Sequence, residues 1–334
     1  MDEIPAICSL HTDPVRIDVV CQNFAGHNTG NRTSAQRIAA ILQRDHEVHL
    51  GDGLREGTAD ACIALHAGRS HDAIAEFHRR SQGGRLVVVL TGTDLYGEQA
   101  LGDAVRASLR LAWRIAVSQP NAMDALPSEF RSKARIVGKS AMVPDTALQV
   151  ARSSPAADSS EVVALAHLRT LKDPLLLPAA MALLPPHSKL TAVHLGASLD
   201  EVLAGEAERS KSERWRWLGG FPREEALLRL ARSRALVLTS RIEGGPNVLC
   251  EAALLDRPIL ATRIDGVAGI LSSSHEGLFE PGDERGLCAL LLRLERDAEF
   301  LERLLLRSRE LAESCAPERE RLAFEALLAE DGPR

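Results

Sequence analysis

Short apolar runs of strand length alternate with helical patterns along almost the whole chain, and this alternation is what most narrows the folds open to it. Strands that come one at a time, each followed by a helix, pair in parallel, and a parallel sheet needs helices on both faces. In the first half the runs fall at 17–21, 47–50, 61–65, 86–90, 115–118 and 135–137. In the second half they fall at 162–165, 190–195, 215–218, 236–239, 259–261 and 277–280. Between the sets, 150–160 is polar, small and aperiodic, and reads as an exposed linker. Beyond Asp283 the pattern is almost wholly helical, and Pro317 breaks it so that a last amphipathic helix over 318–329 can change direction. The expectation is an α/β chain of two doubly wound domains, 1–152 and 153–316, with a terminal helix over 317–334 free to cross back to the first.

In such folds ligands bind beyond the carboxyl ends of the strands, so chemistry is sought in the loops that follow them, facing a cleft between the domains. Composition limits what that ligand is. A formal charge of -6 and 3% aromatic residues disfavour a nucleic-acid partner, which asks for a basic face and stacking rings. The six cysteines lie apart with no Cys-x-x-Cys pair and read as reduced core thiols. The acidic start lacks the basic and apolar stretches of a signal peptide, and no uncharged apolar run approaches the ~18 residues of a membrane span. A soluble, cytoplasmic protein with no membrane insertion is expected.

The most specific segment is Arg241-Ile242-Glu243-Gly244-Gly245-Pro246-Asn247-Val248-Leu249-Cys250-Glu251. It follows a buried strand and turns at Gly244-Gly245-Pro246 into a helix, whose free N–H groups and dipole suit a diphosphate. Glu251 then lies a turn into the helix, within reach of ribose hydroxyls, while Glu243 stays on the loop beside a sugar. A strand, a glycine turn and a helix with two solvated glutamates would read the same way.

Three further loops carry candidate groups. His167-Leu168-Arg169-Thr170-Leu171-Lys172-Asp173-Pro174 offers a planar fork in Arg169 and a compact charge in Lys172, or else a surface loop whose Asp173-Pro174 starts a helix. Gly26 to Ala35, with Gly30, Asn31, Arg32 and Thr33, makes an anion cradle at a helix start, compatible with helix capping by Asn31, Thr33 or Ser34. Thr91, Gly92, Thr93 and Asp94 end the fourth run with hydroxyls and a carboxylate; Asp94 is a candidate base or sugar anchor, or a helix N-cap. Gly138-Lys139-Ser140 is not a phosphate-binding loop, since the motif's first glycine is Lys133, and His46, His49, His66 and His71 match no metal motif.

Taken in order, the Arg169/Lys172 loop, Leu218-Gly219, the segment from Glu243 to Glu251, and Pro258-Ile259-Leu260-Ala261 resemble the donor domain of family-four glycosyltransferases of the GT-B fold. Within that family, Gly30-Asn31-Arg32-Thr33, the stretch from Leu90 to Tyr96, His167-Leu168-Arg169 with Lys172-Asp173-Pro174, and Glu243 to Val248 are similar to the selenosugar synthases of selenoneine biosynthesis. The resemblance implies a UDP-sugar substrate, UDP-N-acetylglucosamine or UDP-glucose, joined to selenophosphate, with no metal or other cofactor required. It implies Arg169 and Lys172 on the diphosphate, Glu251 on the ribose, and Glu243 with Gly245, Pro246, Asn247 and Val248 on the sugar and phosphate. The acceptor would lie against Gly30, Asn31, Arg32, Thr33, Thr91, Gly92 and Thr93, with Asp94 orienting the sugar or acting as a base. Commoner members have Gly-Phe-Gly-Leu where this chain has Gly245-Pro246-Asn247-Val248, and a histidine where it has the Thr91 to Asp94 segment. A hydroxyl acceptor, a nucleotide-sugar epimerase and a non-catalytic nucleotide-sugar sensor are the rival readings.

Overall fold

A computed structural model describes residues 14–22, 24, 30–81, 84–98 and 100–329. The twelve expected strands all form: β1 Arg16–Cys21, β2 Glu47–Gly51, β3 Ala61–Leu65, β4 Arg85–Val89, β5 Arg114–Val117, β6 Ala134–Ile136, β7 Glu161–Leu165, β8 Thr191–Leu195, β9 Trp215–Trp217, β10 Ala235–Leu238, β11 Ile259–Thr262 and β12 Leu278–Phe279. They make two six-stranded sheets in the orders β2-β1-β3-β4-β5-β6 and β12-β11-β10-β7-β8-β9, and every pairing is parallel. Their central strands have no polar face: β3, β10 and β11 are buried at every residue, as a sheet covered on both sides requires.

Each sheet has two cores, one per face. In the first domain Ile74, Phe77 and Leu109 pack beneath one face, while Ile38, Leu42 and Phe324 cover the other. Phe324 belongs to the last helix, Pro317–Ala329, so the chain's end does cross back to the first domain. There it lies against the helix Gly30–Leu42, where Arg37 Nε and Nη2 donate to Glu320 at 2.7 and 3.0 Å inside a fully buried pair. Pro317 is the first residue of that helix, where a missing N–H costs nothing.

The stretch 150–160 differs from the expected exposed linker. Asp145–Ser153 is a helix whose Ala147 and Ala151 enter the second domain's core, and Ala156–Asp158 is a short 3-10 turn. Two arginines hold this chain: buried Arg257 donates to Ala151 O at 2.9 Å, and Arg234 donates to Ala157 O at 2.8 Å and Ser159 O at 3.1 Å. A boundary at residue 152 therefore leaves with the first domain a helix whose contacts are with the second.

In the second sheet the strand order reverses between β7 and β10, so the loops leaving those two strands are splayed apart and open a crevice. In the first sheet the corresponding loops follow β1 and β3. The five cysteines among the described residues are free and buried. No described helix is long and apolar enough to cross a membrane.

Candidate active site

The cleft between the two domains encloses a cavity of about 320 Å³, lined from both sides by loops at the carboxyl ends of strands. That volume lies at the lower end of the range for small-molecule sites. On the second-domain side, the loops after β7 and β10 meet across the switch point. Thr239 Oγ1 donates to Lys172 O at 2.8 Å and Arg241 N to Leu171 O at 2.9 Å, which fixes the two backbones together. On that frame Lys172 Nζ pairs with Glu243, whose Oε1 also accepts from Ser240 Oγ at 2.7 Å. Lys172, Glu243 and Arg169 all line the cavity, so the cationic loop points inward rather than forming an ordinary surface loop. Asp173 stands in the left-handed region at φ 44 and pairs with Arg241 at 2.7 Å, so it turns the chain rather than starting a helix.

The helix after the glycine turn runs from Asn247 to Leu254, with Pro246 capping its start, and Gly245, Pro246, Asn247, Val248 and Glu251 line the cavity. Glu251 is nearly buried, 7% exposed, and accepts from Arg223 Nη2 at 2.7 Å. The two glutamates thus have different partners, Lys172 for Glu243 and Arg223 for Glu251.

On the first-domain side, Gly30, Asn31, Thr33, Thr91, Gly92 and Thr93 line the cavity. Residues 26–29 of the expected cradle lie outside the described residues. Arg32 is not among the cavity residues; its guanidinium lies over the Phe24 ring, 5.1 Å from the centroid. Asp94 is not brought to the cavity either. It is wholly buried, accepting from Thr91 N and Oγ1 at 2.9 Å each and from the N–H groups of Ala67 and Gly68 at 3.2 Å each. It reaches back to the helix start from its third position, as in a capping box, rather than forming the N-cap itself. Burial opposes its charge, but the hydrogen bond and charge of His66 and the N–H donors of Thr91 and Gly68 hold its pKa below the ordinary carboxylate value.

The group Asp94 presents to the cleft is His66. Its Nδ1 lies 2.9 Å from Asp94 Oδ1 and its Nε2 3.0 Å from Thr93 Oγ1, and its backbone is held at φ 67. A β-strand end does not force a histidine into that region, and strain of this kind gathers at functional sites. His66, which matches no metal motif, Lys139, whose Gly138-Lys139-Ser140 is not a phosphate-binding loop, and Arg69 and Arg223, which no motif marks, all line the cavity. Each follows a strand end closely, after β3, β6 or β9, so the rule that located the other loops extends to them.

The domains touch backbone to backbone at the floor of the cleft. A Cβ on Gly92 would stand 2.6 Å from Gly244 N, and one on Gly244 would stand 2.5 Å from Gly92 N. Beside them Ser118 Oγ donates to Gly244 O at 2.8 Å, and Asn247 Nδ2 donates to Gly30 O at 3.0 Å. Among the described residues the cavity lining holds five cations, Arg69, Lys139, Arg169, Lys172 and Arg223, against two carboxylates, Glu243 and Glu251. A chain that is acidic overall has thus gathered a positive surplus here, which suits a ligand with more than one anionic group. Among the described residues no group of three His, Cys, Asp or Glu side chains is placed to hold a metal ion.

Residues 160–297 match the family described as glycosyl transferases group 1. Among solved structures, Anabaena HepE in complex with UDP and glucose superposes with a TM-score of 0.73 at 16% identity, covering 95% of this chain and 100% of that one. The sucrose-phosphate synthase of Thermosynechococcus elongatus gives 0.75 at 14% identity, covering 94% and 98%. At such identities the likeness speaks for the fold, and the fold is GT-B. The segment that matches the glycosyl transferases group 1 model carries Lys172, Glu243 and Glu251.

Proposed function

We propose that this protein transfers a hexosyl group from a UDP-sugar, UDP-N-acetylglucosamine or UDP-glucose, to selenophosphate. The observation that carries this reading is the make-up of the cavity's first-domain wall: Arg69, Lys139, three threonines and the start of a helix, with His66 as its one candidate base and no carboxylate among the described residues on that side. Such a wall, with its two cations, attracts an anion. An acceptor that is already an anionic nucleophile fits it. In HepE the matching fold is seen with UDP and glucose, which supports a nucleotide-sugar donor here.

In the reaction the selenium lone pair attacks the anomeric carbon while the bond from that carbon to the diphosphate oxygen breaks, and UDP leaves with the electron pair. Water then cleaves the phosphorus–selenium bond, giving the selenosugar and inorganic phosphate. Charge grows on the diphosphate as it leaves, so Arg169 and Lys172 stabilise the transition state more than the bound donor. Glu251 holds the ribose, and Glu243, oriented by Lys172 and Ser240, faces the sugar beside the backbone of Gly245 to Val248. The contact between Gly92 and Gly244 brings both substrates against a closed floor, where water has less access to the donor.

One observation favours a second reading: His66, backed by Asp94, is placed as a base for a hydroxyl acceptor would be. The deciding experiment incubates the protein with each UDP-sugar and selenophosphate under reducing conditions and follows products by mass. A selenium-bearing sugar formed together with UDP is expected. Donor consumed only with a hydroxyl acceptor, and no selenium-bearing product, would refute the selenophosphate assignment.

A further inference from the structure

We propose that Lys139 is the cation that seats the acceptor's phosphoryl group, in a recess formed by Ser34, Asn247 and the first turn of the helix Gly30–Leu42. The proposal rests on the anionic-acceptor reading above and gives it a site. Lys139 lines the cleft from the loop after β6, and its ammonium has only two contacts among the described residues: Asn247 Oδ1 at 3.4 Å and Ser34 Oγ at 3.5 Å. Both are at the edge of hydrogen-bonding range.

Neither contact competes with an anion. Asn247 Oδ1 has two lone pairs and is asked to accept from three donors, Ser34 Oγ at 3.1 Å, Arg37 Nη1 at 3.1 Å and Lys139 at 3.4 Å. Lys139 is the most distant of the three, so it is the donor that a charged phosphoryl oxygen would draw away, because a charge-assisted bond is the stronger. The nearby carboxylate, Glu320, is already committed: it accepts from Arg37 twice and from Ser140 N at 3.1 Å and Ser140 Oγ. Lys139 therefore carries a charge that the fold leaves unmatched.

Position adds to this. The recess lies beside Gly30 and Asn31, whose first-turn N–H groups have no carbonyl partner within the helix. It also borders Asn247, so the anion would touch both domains and report their closure. Arg32, the cation expected here from the sequence, lies over the Phe24 ring and does not line the cavity, whereas Lys139 does and is the cation in contact with Ser34 and Asn247. Desolvation first, and Arg37 second, push the Lys139 pKa down to about 8, against the opposing pull of Glu320, Cys250 and Glu243. An ammonium this poorly satisfied gains from an anionic ligand.

The test titrates inorganic phosphate into the full-length protein saturated with UDP, for wild type, Lys139→Gln and Lys139→Arg. The expected result is that Lys139→Gln weakens phosphate binding at least about tenfold, Lys139→Arg restores most of it, and UDP affinity stays within about twofold in both. UDP binding also shows that the variants are folded. In wild type, phosphate affinity should fall from pH 7 to pH 9 as Lys139 loses its proton, although phosphate itself gains charge over that range. Phosphate bound equally well by Lys139→Gln, or UDP affinity lost in parallel, would overturn the proposal. If the wild type binds phosphate through Lys139 but makes no selenosugar, the site stands for another phosphorylated acceptor and the selenium reading alone fails. If Lys139→Gln makes selenosugar at the wild-type rate, this site alone fails.

Discussion

Replacing Glu251 by Gln tests the donor site with the least disturbance to the fold. Glu251 sits on the helix Asn247–Leu254, is 7% exposed, and uses Oε1 to accept from Arg223 Nη2 at 2.7 Å. Oε2 has no protein partner among the described residues, which leaves it for a ribose hydroxyl. Gln has nearly the same volume and can still accept from Arg223, so packing is kept and the charge alone is lost. A hydrogen bond to a charged group contributes about 1.5–3 kcal/mol and one between neutral groups about 0.5–1.5 kcal/mol, so the difference is ~1–2 kcal/mol. That corresponds to a UDP Kd raised roughly five- to thirtyfold. Arg223 is about a third exposed, so water can solvate what Gln leaves unpaired and the melting temperature should change little. The assay is calorimetric titration of both proteins with UDP and with a UDP lacking the ribose 2′- and 3′-hydroxyls. Wild type should lose affinity for the deoxygenated nucleotide, and Glu251→Gln should lose little more. A variant that binds UDP as tightly as wild type refutes the role. So does one whose loss is the same with and without the hydroxyls, which would place Glu251 elsewhere on the nucleotide.

Lys172→Met removes the ammonium from the Glu243 pair, and Arg169→Met removes the neighbouring fork; each should lower kcat by on the order of 10²–10³ while UDP affinity falls less than tenfold. Steady-state kinetics beside UDP titration check this, a loss confined to binding would mean that the cations only position the donor, and a chelator should leave the wild-type rate unchanged. Gly92→Ala puts a methyl 2.6 Å from Gly244 N, where the obstacle is the other domain's backbone and only separation of the domains relieves it. With the sugar and acceptor displaced by ~1 Å, kcat/KM should fall about a hundredfold, whereas UDP, held by the second domain, should bind as before; unchanged kcat/KM would show that the contact plays no part in closure.

How legible the protein was follows the range of each signal. A parallel strand buried on both faces writes itself into four to six consecutive residues, so runs such as 61–65 and 236–239 were readable without knowing what they pair with. The turn Gly244-Gly245-Pro246 and the two glutamates lie within one short segment, so that part of the cavity's second-domain wall was readable too. The helical hold on 150–160 was not, because its causes, Arg234 and Arg257, come from chain far downstream.

The acceptor side was hardest, since its geometry is set by which loops meet. Residue type leaves Asp94 a candidate base, a sugar anchor or a helix N-cap, and tertiary structure buries it beneath His66 and surrounds its oxygens with donors from two loops. Arg32 and Lys139 look alike as isolated cations. Only the packing of Phe24 on one, and of Asn247, Ser34 and the committed Glu320 around the other, decides which faces the cleft. The sequence by itself determined the two sheets, the terminal helix and the second-domain loops that line the cavity, because those depend on hydrophobic period and local turns. The tertiary structure decided which charges are free to meet a ligand, because a charge is matched or left over only once segments far apart in the chain have been brought together.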